Sequence, residues 1–207
     1  MLRSDVVIVR EDDPRCTELE SKGYDVIGYS WGANLRFDDS SDLTMFDERV
    51  RRVRNEGFTI RELSSDDLAG VAEVEFANVG DYPQSAATRH EMPTLVHLVG
   101  MVHEGVRFWG AYLEGRLVAV TSLERMDQRC NTKFTSVLRE YRGRGIGVAV
   151  KAASISTLFN EGERWFSTGG AASNEASLGA NRALGYVFEP TWRTYSMTHK
   201  QQRQDFL

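Results

Sequence analysis

The residues best suited to chemistry form one short stretch near the middle of the chain, Val137-Leu-Arg-Glu-Tyr-Arg-Gly-Arg-Gly-Ile-Gly147. An apolar run that predicts a strand precedes it, and an amphipathic run that predicts a helix follows at once. Glycines let an anion approach the backbone, and the N–H groups at a helix N-terminus carry partial positive charge. Because Arg142 and Arg144 add full charges that suit a pyrophosphate, the stretch predicts a phosphate-binding loop.

Two widespread phosphate-binding motifs do not fit this stretch. The Walker loop needs Gly-x-x-x-x-Gly-Lys-Ser/Thr, and no such string occurs in the chain. The dinucleotide-binding fingerprint Gly-x-Gly-x-x-Gly is nearly present, but the spacing here is Gly143-x-Gly145-x-Gly147. Too little chain follows Glu163, the candidate ribose ligand, for the second half of a doubly wound fold. A glycine-rich hairpin exposed to solvent is the remaining alternative.

A second stretch, Asn174-Glu-Ala-Ser-Leu-Gly-Ala-Asn-Arg-Ala-Leu-Gly-Tyr186, predicts a helix with spaced asparagines and a closing Leu-Gly-aromatic sequence. A short run at residues 165–168 predicts a strand between the loop and this helix. The motif Arg142-x-x-Gly145-x-Gly147 after a strand, followed by the asparagine helix, resembles the GNAT N-acetyltransferase superfamily. The second stretch supports the resemblance independently of the loop.

The resemblance implies acetyl-coenzyme A (acetyl-CoA) as the cosubstrate, bound where two parallel strands at residues 130–138 and 164–168 separate. Backbone groups at the end of the first strand would pair with the pantetheine arm like an added strand. The loop would hold the pyrophosphate, and Asn174 would hydrogen-bond the arm unless it only caps its helix. Lys151, on the helix after the loop, could reach a phosphate, but a lysine on the first helical turns is expected to be solvated. The implied cofactor-binding residues are Val137, Arg139, Arg142, Gly143, Arg144, Gly145, Ile146, Gly147 and Asn174.

Acetyl transfer from a thioester needs a neutral amine placed at the carbonyl, a base for its proton and donors for the oxyanion. The resemblance makes the Val137 N–H the expected oxyanion donor. Many relatives carry a tyrosine as the general acid at the position of Asn181, so that role is not carried over. A thiol with a pKa near ~8.5 is a fair leaving group without an acid. Asn181 is expected to orient the thioester or a water molecule instead.

The general base is expected among the carboxylates of the central strands and first helices. Glu124, at the end of a central strand, is the first choice, and the alternatives are Asp127, Glu73 and Glu75. Asp81 falls where the acceptor-binding loop of the family lies. Its carboxylate is therefore expected to anchor an ammonium group of the substrate.

The 207 residues are 41% hydrophobic and carry a formal net charge of −5, which suits one ordinary domain with an extension. Without a basic stripe, this mild acidity argues against nucleic acid as a partner. Two cysteines are too few for a disulfide framework, no zinc-binding pattern occurs, and no stretch reads as a signal peptide or membrane span. We therefore expect a soluble cytoplasmic protein without a metal and without a membrane partner.

From residue 56 to residue 207 the chain is expected to form one GNAT acetyltransferase domain. Strands first follow one another and then alternate with helices, and two of the predicted helices cover residues 68–78 and 86–102. This order predicts an α/β fold, namely a GNAT-like mixed and mostly antiparallel sheet with helices on both faces.

Residues 1–55 form an N-terminal extension that is predicted as a strand, a helix and two strands (β-α-β-β), the last two at residues 25–31 and 33–37. The order strand, helix, Gly-Tyr, strand recurs near the other end of the chain. The extension is therefore interpreted either as half of an earlier GNAT copy or as an unrelated β-rich segment. Half a domain leaves a sheet edge unpaired, so the extension should pack on its own chain or on the partner subunit of a homodimer.

Two functions are compatible with these features. The first is N-acetyltransferase activity that moves an acetyl group from acetyl-CoA to a primary amine of a small molecule or peptide by direct attack. The alternative is a catalytically degenerate acyl-CoA-binding module. The acceptor and the length of the acyl group stay open. Acceptor specificity is expected in the region of residues 81–102 and in any subunit contact.

Overall fold

The computed structural model describes residues 6–81 and 93–197, in which nine strands form one sheet. The strands are β1 (Val6–Arg10), β2 (Tyr24–Arg36), β3 (Thr59–Glu62), β4 (Arg107–Leu113), β5 (Arg116–Met126), β6 (Arg129–Val137), β7 (Trp165–Ala171), β8 (Val187–Phe188) and β9 (Trp192–Met197). The α-helices are α1 (Arg15–Ser21), α2 (Thr44–Asn55), α3 (Leu68–Asn78), α4 (Leu95–His103), α5 (Ile146–Asn160) and α6 (Glu175–Ala183).

The sheet is mixed and mostly antiparallel, with the strand order β1-β9-β2-β7-β6-β5-β4-β3 and with β8 beside β2. β6 and β7 pair in parallel, whereas the other pairs are antiparallel. All of residues 117–123 in β5 are buried, so the sheet is covered on both faces. The covering helices include α3, which packs on β5 and β6, and α5, which packs on β3, β4 and β5. The predicted fold class is confirmed.

β2 joins the N-terminal extension to the rest of the sheet. It lies between β7 and β9, and it pairs with β7 from Ser30 opposite Ala171 to Arg36 opposite Trp165. Trp31 of this strand is buried, and its indole N–H donates to the Ala171 carbonyl at 3.1 Å. The extension therefore packs in the sheet of its own chain. Its origin as half of an earlier GNAT copy, and the domain division at residue 55, stay predictions.

The two strands predicted at residues 25–31 and 33–37 are one strand of 13 residues, so the predicted break was wrong. Gly32, at the expected break, lies inside β2. A Cβ atom at Gly32 would lie 3.1 Å from the Glu189 carboxylate. The glycine therefore accommodates a close neighbour within the strand, which is a common use of glycine in sheets.

The predicted helix at residues 68–78 is confirmed as α3, whereas α4 begins later than the helix predicted at residues 86–102. Thr94 caps α4, because its side-chain oxygen accepts a hydrogen bond from the His97 N–H at 3.2 Å. Residues 86–92 of the predicted helix lie outside the described residues. None of the described helices is long and apolar enough to cross a lipid bilayer.

Candidate functional site

β6 and β7 run in parallel but remain hydrogen-bonded neighbours over a short stretch. Their paired positions are Cys130 with Phe166 and Asn131 with Ser167. Beyond these pairs, β6 continues along β5 and β7 continues along β2. The two strands therefore separate into a wedge that opens toward their carboxyl ends, at the place that the family resemblance implies.

A β-bulge in β6 marks the vertex of the wedge. Phe134 lies opposite Ser122 and Thr132 lies opposite Leu123, so Lys133 is an extra residue on β6 without a counterpart on β5. A bulge bends its strand and increases the local twist. The bulge at Lys133 therefore helps to turn β6 away from β7.

A cavity of about 730 Å³ fills the wedge. Its walls are the second half of β6, the loop after β6, the first turns of α5, the end of β7 and one face of α6. Most of the predicted site residues line this cavity, whereas Arg139, Arg144 and Glu124 do not. Those that line it are Asp81, Val137, Arg142, Gly143, Gly145, Ile146, Gly147, Asn174 and Asn181.

The loop between β6 and α5 has the backbone geometry of an anion-binding loop. Gly143 and Gly145 have φ angles of 76° and 79°, in the left-handed region that favours glycine. A Cβ atom at either glycine would meet nothing within 4 Å, so there is open space for a ligand in front of the loop. Gly145 is also the N-cap of α5, where free backbone N–H groups attract phosphate. The loop therefore fits a pyrophosphate.

Gly147 serves the packing of the loop rather than its backbone conformation. It lies in the first turn of α5, and a Cβ atom there would come within 3.2 Å of the Val137 Cγ2 atom. The missing side chain therefore lets the start of α5 approach the end of β6 closely.

The backbone of Val137 faces the wedge. The Leu138 N–H donates to the Val118 carbonyl on β5 at 2.9 Å. Because backbone groups alternate in direction along a strand, the Val137 N–H points away from β5 and into the gap. The Val137 carbonyl accepts from Arg142 Nε at 2.9 Å and from Asn78 Nδ2 at 3.2 Å. The N–H direction suits the oxyanion and pantetheine roles, and both roles stay predictions.

Two arginines of the loop converge on one carboxylate. Arg139 donates a hydrogen bond to Asp81, and Arg142 pairs with the same carboxylate at 2.7 Å. Arg142 also donates to the Asn78 amide oxygen at 2.6 Å. The hydrogen bonds from Arg139 and Arg142 hold the pKa of the Asp81 carboxyl below its usual range. Asp81 therefore stays ionised and orients the loop.

This position bears on the predicted role of Asp81 as an anchor for the acceptor. The structure places its carboxylate against the cofactor loop, where an ammonium group would have to compete with two guanidinium groups. The acceptor-binding role of Asp81 stays a prediction.

Arg144 is held at the loop by different neighbours. Its guanidinium pairs with Glu56 at 2.9 Å and lies 4.9 Å from the centre of the Phe58 ring. The side chains of this ion pair are 40% and 34% exposed, and exposed pairs contribute little to stability. The ion pair therefore costs little to break, and the role of Arg144 at a pyrophosphate stays a prediction.

Asn174 and Asn181 of the predicted asparagine helix line the same cavity. Asn174 Oδ1 accepts a hydrogen bond from the Ser177 N–H at 3.0 Å and caps α6. The alternative that Asn174 caps its helix is therefore correct for the amide oxygen. Asn181 is buried; its Nδ2 donates to the Ser177 carbonyl at 2.8 Å, and its Oδ1 accepts from Lys151 Nζ at 2.5 Å. The Asn181 amide thus contacts the only lysine of α5.

Lys151 is buried, so the expectation that it is solvated was wrong. The residue is 2% exposed, and its Nζ lies 5.0 Å from the centre of the Tyr186 ring. Burial lowers the pKa of Lys151 to about 7. The sequence did carry a signal for this, because Lys151 is the single charged residue in a helix of 15 residues.

Residues 76–186, more than half of the chain, match the model of the acetyltransferase (GNAT) family. The chain belongs to the GNAT family. Acetyl transfer from acetyl-CoA is general to GNAT proteins, and the geometry of the loop at Gly145 fits that cosubstrate. No curated protein matches the chain in sequence.

Solved GNAT structures share the fold at low sequence identity. A GCN5-related N-acetyltransferase from Sphaerobacter thermophilus has a TM-score of 0.70 at 17% identity, over 93% of this chain and 59% of that one. A tandem GNAT protein from the clavulanic acid biosynthesis pathway has a TM-score of 0.63 at 18% identity, over 92% and 62%. A GCN5-related N-acetyltransferase from Kribbella flavida has a TM-score of 0.60 at 12% identity, over 96% and 70%. The chain thus spans less than two thirds of the first two proteins.

Glu124 is the candidate base that lies beside the vertex of the GNAT wedge. Its carboxylate accepts from Nζ of the bulge residue Lys133 at 3.0 Å. Of the alternatives, Glu73 on α3 and Asp127 in the turn after β5 are exposed, and Glu75 is buried on α3. The structure therefore keeps Glu124 as the first choice, and its role as base stays a prediction.

A second cleft of about 610 Å³ lies on the other face of the GNAT sheet. Phe37 packs edge-on against Phe159 of α5 and Phe166 of β7, so Phe166 points to the face that α5 covers. Ser167, the next residue on β7, points to the opposite face and lines the second cleft. This cleft therefore opens away from α5.

The two cavities meet at the vertex of the wedge. Four residues line both of them, namely Thr132, Lys133, Thr168 and Gly169. They lie just beyond the last hydrogen-bonded pair of β6 and β7. The two cavities therefore adjoin at the place where β6 and β7 separate.

The second cleft holds a carboxylate that the sequence analysis missed. Glu189 accepts from Asn34 Nδ2 at 2.5 Å, and Asn34 Oδ1 accepts from Trp165 Nε1 at 2.7 Å. Asn34 lies on β2 and Glu189 lies after β8, so long-range pairing brings them together. Only the position of β2 in the sheet could have revealed this cleft.

The buried amine of Lys151 predicts a pH-dependent effect on stability. The unfolded chain holds this proton up to the ordinary pKa of 10.5, whereas the folded protein holds it only up to about 7. Unfolding therefore takes up a proton between these pH values, and burial of Lys151 destabilises the protein most at and below pH 7. Lys151→Met should raise the melting temperature at pH 7, on the order of 5 °C, with a gain that fades toward pH 10.

Thermal unfolding of both proteins at pH 7 and pH 10 checks this expectation. Lys22→Met is the matched control, because Lys22 is exposed and pairs with Glu18 at the surface. A gain for Lys151→Met of equal size at both pH values would show that the folded protein does not suppress protonation of Lys151.

Proposed function

We propose that this GNAT protein moves an acetyl group from acetyl-CoA to a primary amine of a small molecule or peptide by direct attack. The observation that carries the proposal is the meeting of two cavities at the vertex of the wedge. One cavity begins at an anion-binding loop, and the other holds the Glu189 carboxylate on the opposite face of the sheet. The arrangement suits an acyl donor and a basic acceptor that reach the same gap from opposite faces.

The donor side is built from the loop and the two strands of the wedge. The free N–H groups around Gly145 would hold the pyrophosphate, with phosphate oxygens replacing the Asp81 carboxylate that now pairs with Arg139 and Arg142. The Val137 N–H and the Asn174 amide would orient the pantetheine arm. The acyl group would then lie toward the vertex, where the two cavities join.

The acceptor side supplies charge and a proton acceptor. Glu189 would attract the ammonium form of the amine into the second cleft, and attack requires that the amine lose a proton first. Glu124, which pairs with the cleft residue Lys133, would take that proton through a water molecule and release it to solvent. It would then take the second proton of the nitrogen after the carbon–nitrogen bond has formed. The carbon–nitrogen bond forms first, and the Val137 N–H would stabilise the oxyanion of the tetrahedral intermediate. The carbon–sulfur bond then breaks and releases coenzyme A.

The test is the release of coenzyme A thiol across a library of primary amines. Thiol should appear only when an amine and acetyl-CoA are both present, and the product should gain the mass of one acetyl group. Propionyl-CoA and longer acyl-CoA donors, assayed in parallel, define the acyl length that the wedge accepts.

A second candidate function is a catalytically degenerate acyl-CoA-binding module. Asn181 favours it, because both polar groups of its amide are already engaged by Ser177 and Lys151 and it offers no acidic proton. Tight binding of acetyl-CoA without thiol release for any amine would support this candidate and contradict the transferase proposal.

Glu124→Gln tests the proposed base. The amide keeps a similar size but accepts no proton at neutral pH, so kcat should fall by roughly 100-fold to 1,000-fold, within the range of general-base effects. Acetyl-CoA binding should be unchanged, because Glu124 does not line the cofactor cavity. Asp127→Asn is the matched control in the exposed turn after β5. A normal kcat for Glu124→Gln would assign the base elsewhere.

A further inference from the structure

Lys151 is a buried residue whose amine can carry a positive charge, and the proposed transfer gives it no role. Its side chain lines the cofactor cavity from the second turn of α5, and the residue is 2% exposed. Lysine is almost never fully buried unless it is paired, yet the acceptor for its Nζ is the neutral Asn181 amide at 2.5 Å. A buried titratable group in a ligand cavity is a candidate for a functional role.

The groups around Lys151 carry no charge near neutral pH. The Asn181 amide on α6 contacts Nζ, and the Tyr186 ring lies 5.0 Å away. Burial raises the pKa of Tyr186. Burial also raises the pKa of Cys130 on β6, which interacts electrostatically with Tyr186, to about 12. Both groups therefore keep their protons. Among the described residues, burial alone shifts the pKa of Lys151, to about 7.

The Asn181 amide fixes the direction of the lysine side chain. Its Nδ2 donates to the Ser177 carbonyl at 2.8 Å, so its Oδ1 is the atom that faces α5. This oxygen accepts one N–H of Lys151 whether the amine is charged or neutral. An ammonium group has three N–H groups, so Lys151 can keep this hydrogen bond and donate another into the cavity.

We propose that Lys151 is the proton donor to the sulfur that leaves during acetyl transfer, an inference that rests on the proposed function. As the bond between the carbonyl carbon and sulfur breaks, its electron pair stays on sulfur. One proton of the Lys151 ammonium passes to that sulfur, and coenzyme A leaves as the thiol. The neutral amine stays hydrogen-bonded to Asn181 and takes a proton from water before the next turnover. The proton of the acceptor amine goes separately to the base.

The chemistry of the leaving group suits such a donor. A proton donor works best when its pKa lies near the operating pH. A thiol has a pKa of about 8.5, so a lysine with the ordinary value near ~10.4 would hold its proton too tightly to give it up readily. Burial among neutral groups brings Lys151 into the useful range.

The experiment compares wild type, Lys151→Met and Lys151→Arg, with Lys22→Met as the surface control, in kcat and KM between pH 6 and 9.5. The wild-type rate should fall on the alkaline side as Lys151 loses its proton. Lys151→Met should lose roughly 100-fold in kcat at pH 7, with little change in the KM for acetyl-CoA and without the alkaline fall. Lys151→Arg should also lack the alkaline fall, because arginine stays protonated.

Asn181→Asp tests the proposal by moving the alkaline fall in the rate instead of removing it. A carboxylate beside Nζ favours the ammonium form, so the alkaline fall should move to higher pH by about 1 to 3 units. A lysine that only supports the fold would lower the rate when mutated but would leave the pH of the alkaline fall where it is. An unmoved alkaline fall in Asn181→Asp, or one that persists in Lys151→Met, would overturn the proposal.

A readout that does not depend on activity is the NMR titration of the lysine side chains in the free protein. The chain has four lysines, and one signal should titrate near pH 7 and be missing in Lys151→Met. If wild type releases no thiol with any amine, the proposed function fails and this inference fails with it. If wild type is active but all lysines titrate near their ordinary pKa, the transferase stands and the role of Lys151 is overturned.

Discussion

Gly145→Glu is expected to abolish the thermal stabilisation that acetyl-CoA gives to the wild-type protein. The residue lies at a φ of 79°, with open space in front of it, at the N-cap of α5. A glutamate there would strain the backbone and place a carboxylate where the pyrophosphate should bind. A ligand at 100 times its Kd stabilises a protein by about 2.7 kcal/mol, so the loss is easily measured in a thermal shift. Acetyl transfer should fall below detection.

Gly115→Glu is the matched control for that substitution. Gly115 has a φ of 80° and open space around it, but it lies in the turn between β4 and β5. It should show similar backbone strain and keep the full stabilisation by acetyl-CoA. NAD should not stabilise the wild type to a comparable extent. An unchanged shift in Gly145→Glu would mean that the loop does not hold the pyrophosphate.

Deletion of residues 1–55 is expected to produce an aggregating or unfolded protein, although every cofactor-loop residue remains. The deletion removes β2 from between β7 and β9 and also removes β1 from the other edge of β9, so β9 loses the strands on both of its edges and β7 loses one neighbour. It also removes Trp31, which buries on the order of 200 Å² when packed. At ~25 cal/mol per Å², that side chain alone contributes several kcal/mol. Size-exclusion chromatography and thermal unfolding of the truncated chain measure the effect.

Point substitutions on the same strand serve as the control for the truncation. Trp31→Ala should lower the melting temperature strongly, whereas Tyr29→Ala should change it little, because Tyr29 is 49% exposed and Trp31 is 6% exposed. A truncated protein that stays soluble, with the melting temperature of the full chain, would falsify the structural role of the extension.

The parts of this fold and site that local sequence predicts are the ones with local causes. The glycine loop could be predicted from the sequence because positive φ angles and a helix start at Gly145 need particular residues at fixed spacing. The helix cap at Asn174 is readable for the same reason. These local features agreed with one family, and the family match over residues 76–186 confirmed it.

The features that escaped prediction depend on contacts between distant segments. Lys151 is the single charged residue of its helix, which hints at burial, but the sheet and α6 that enclose it come from distant segments of the chain. The sequence analysis predicted a break in β2 at Gly32. The glycine is explained by the nearby Glu189 carboxylate, and the local sequence does not reveal this long-range contact. The second cleft escaped notice because it combines β2, the end of β7 and the chain after β8.

The place of β2 between β7 and β9 also governs the order in which the protein can fold during synthesis. Trp31 bonds to a carbonyl 140 residues further along the chain, and the other edge of β2 pairs with the last described strand. Contacts over such distances form slowly, because the intervening chain must first be closed into a loop. β2 therefore leaves the ribosome long before β7 and β9 have been synthesised. Until then its strand edges are unpaired and its apolar side chains are exposed. We expect nascent chains of this protein to depend on chaperones until β9 has been made.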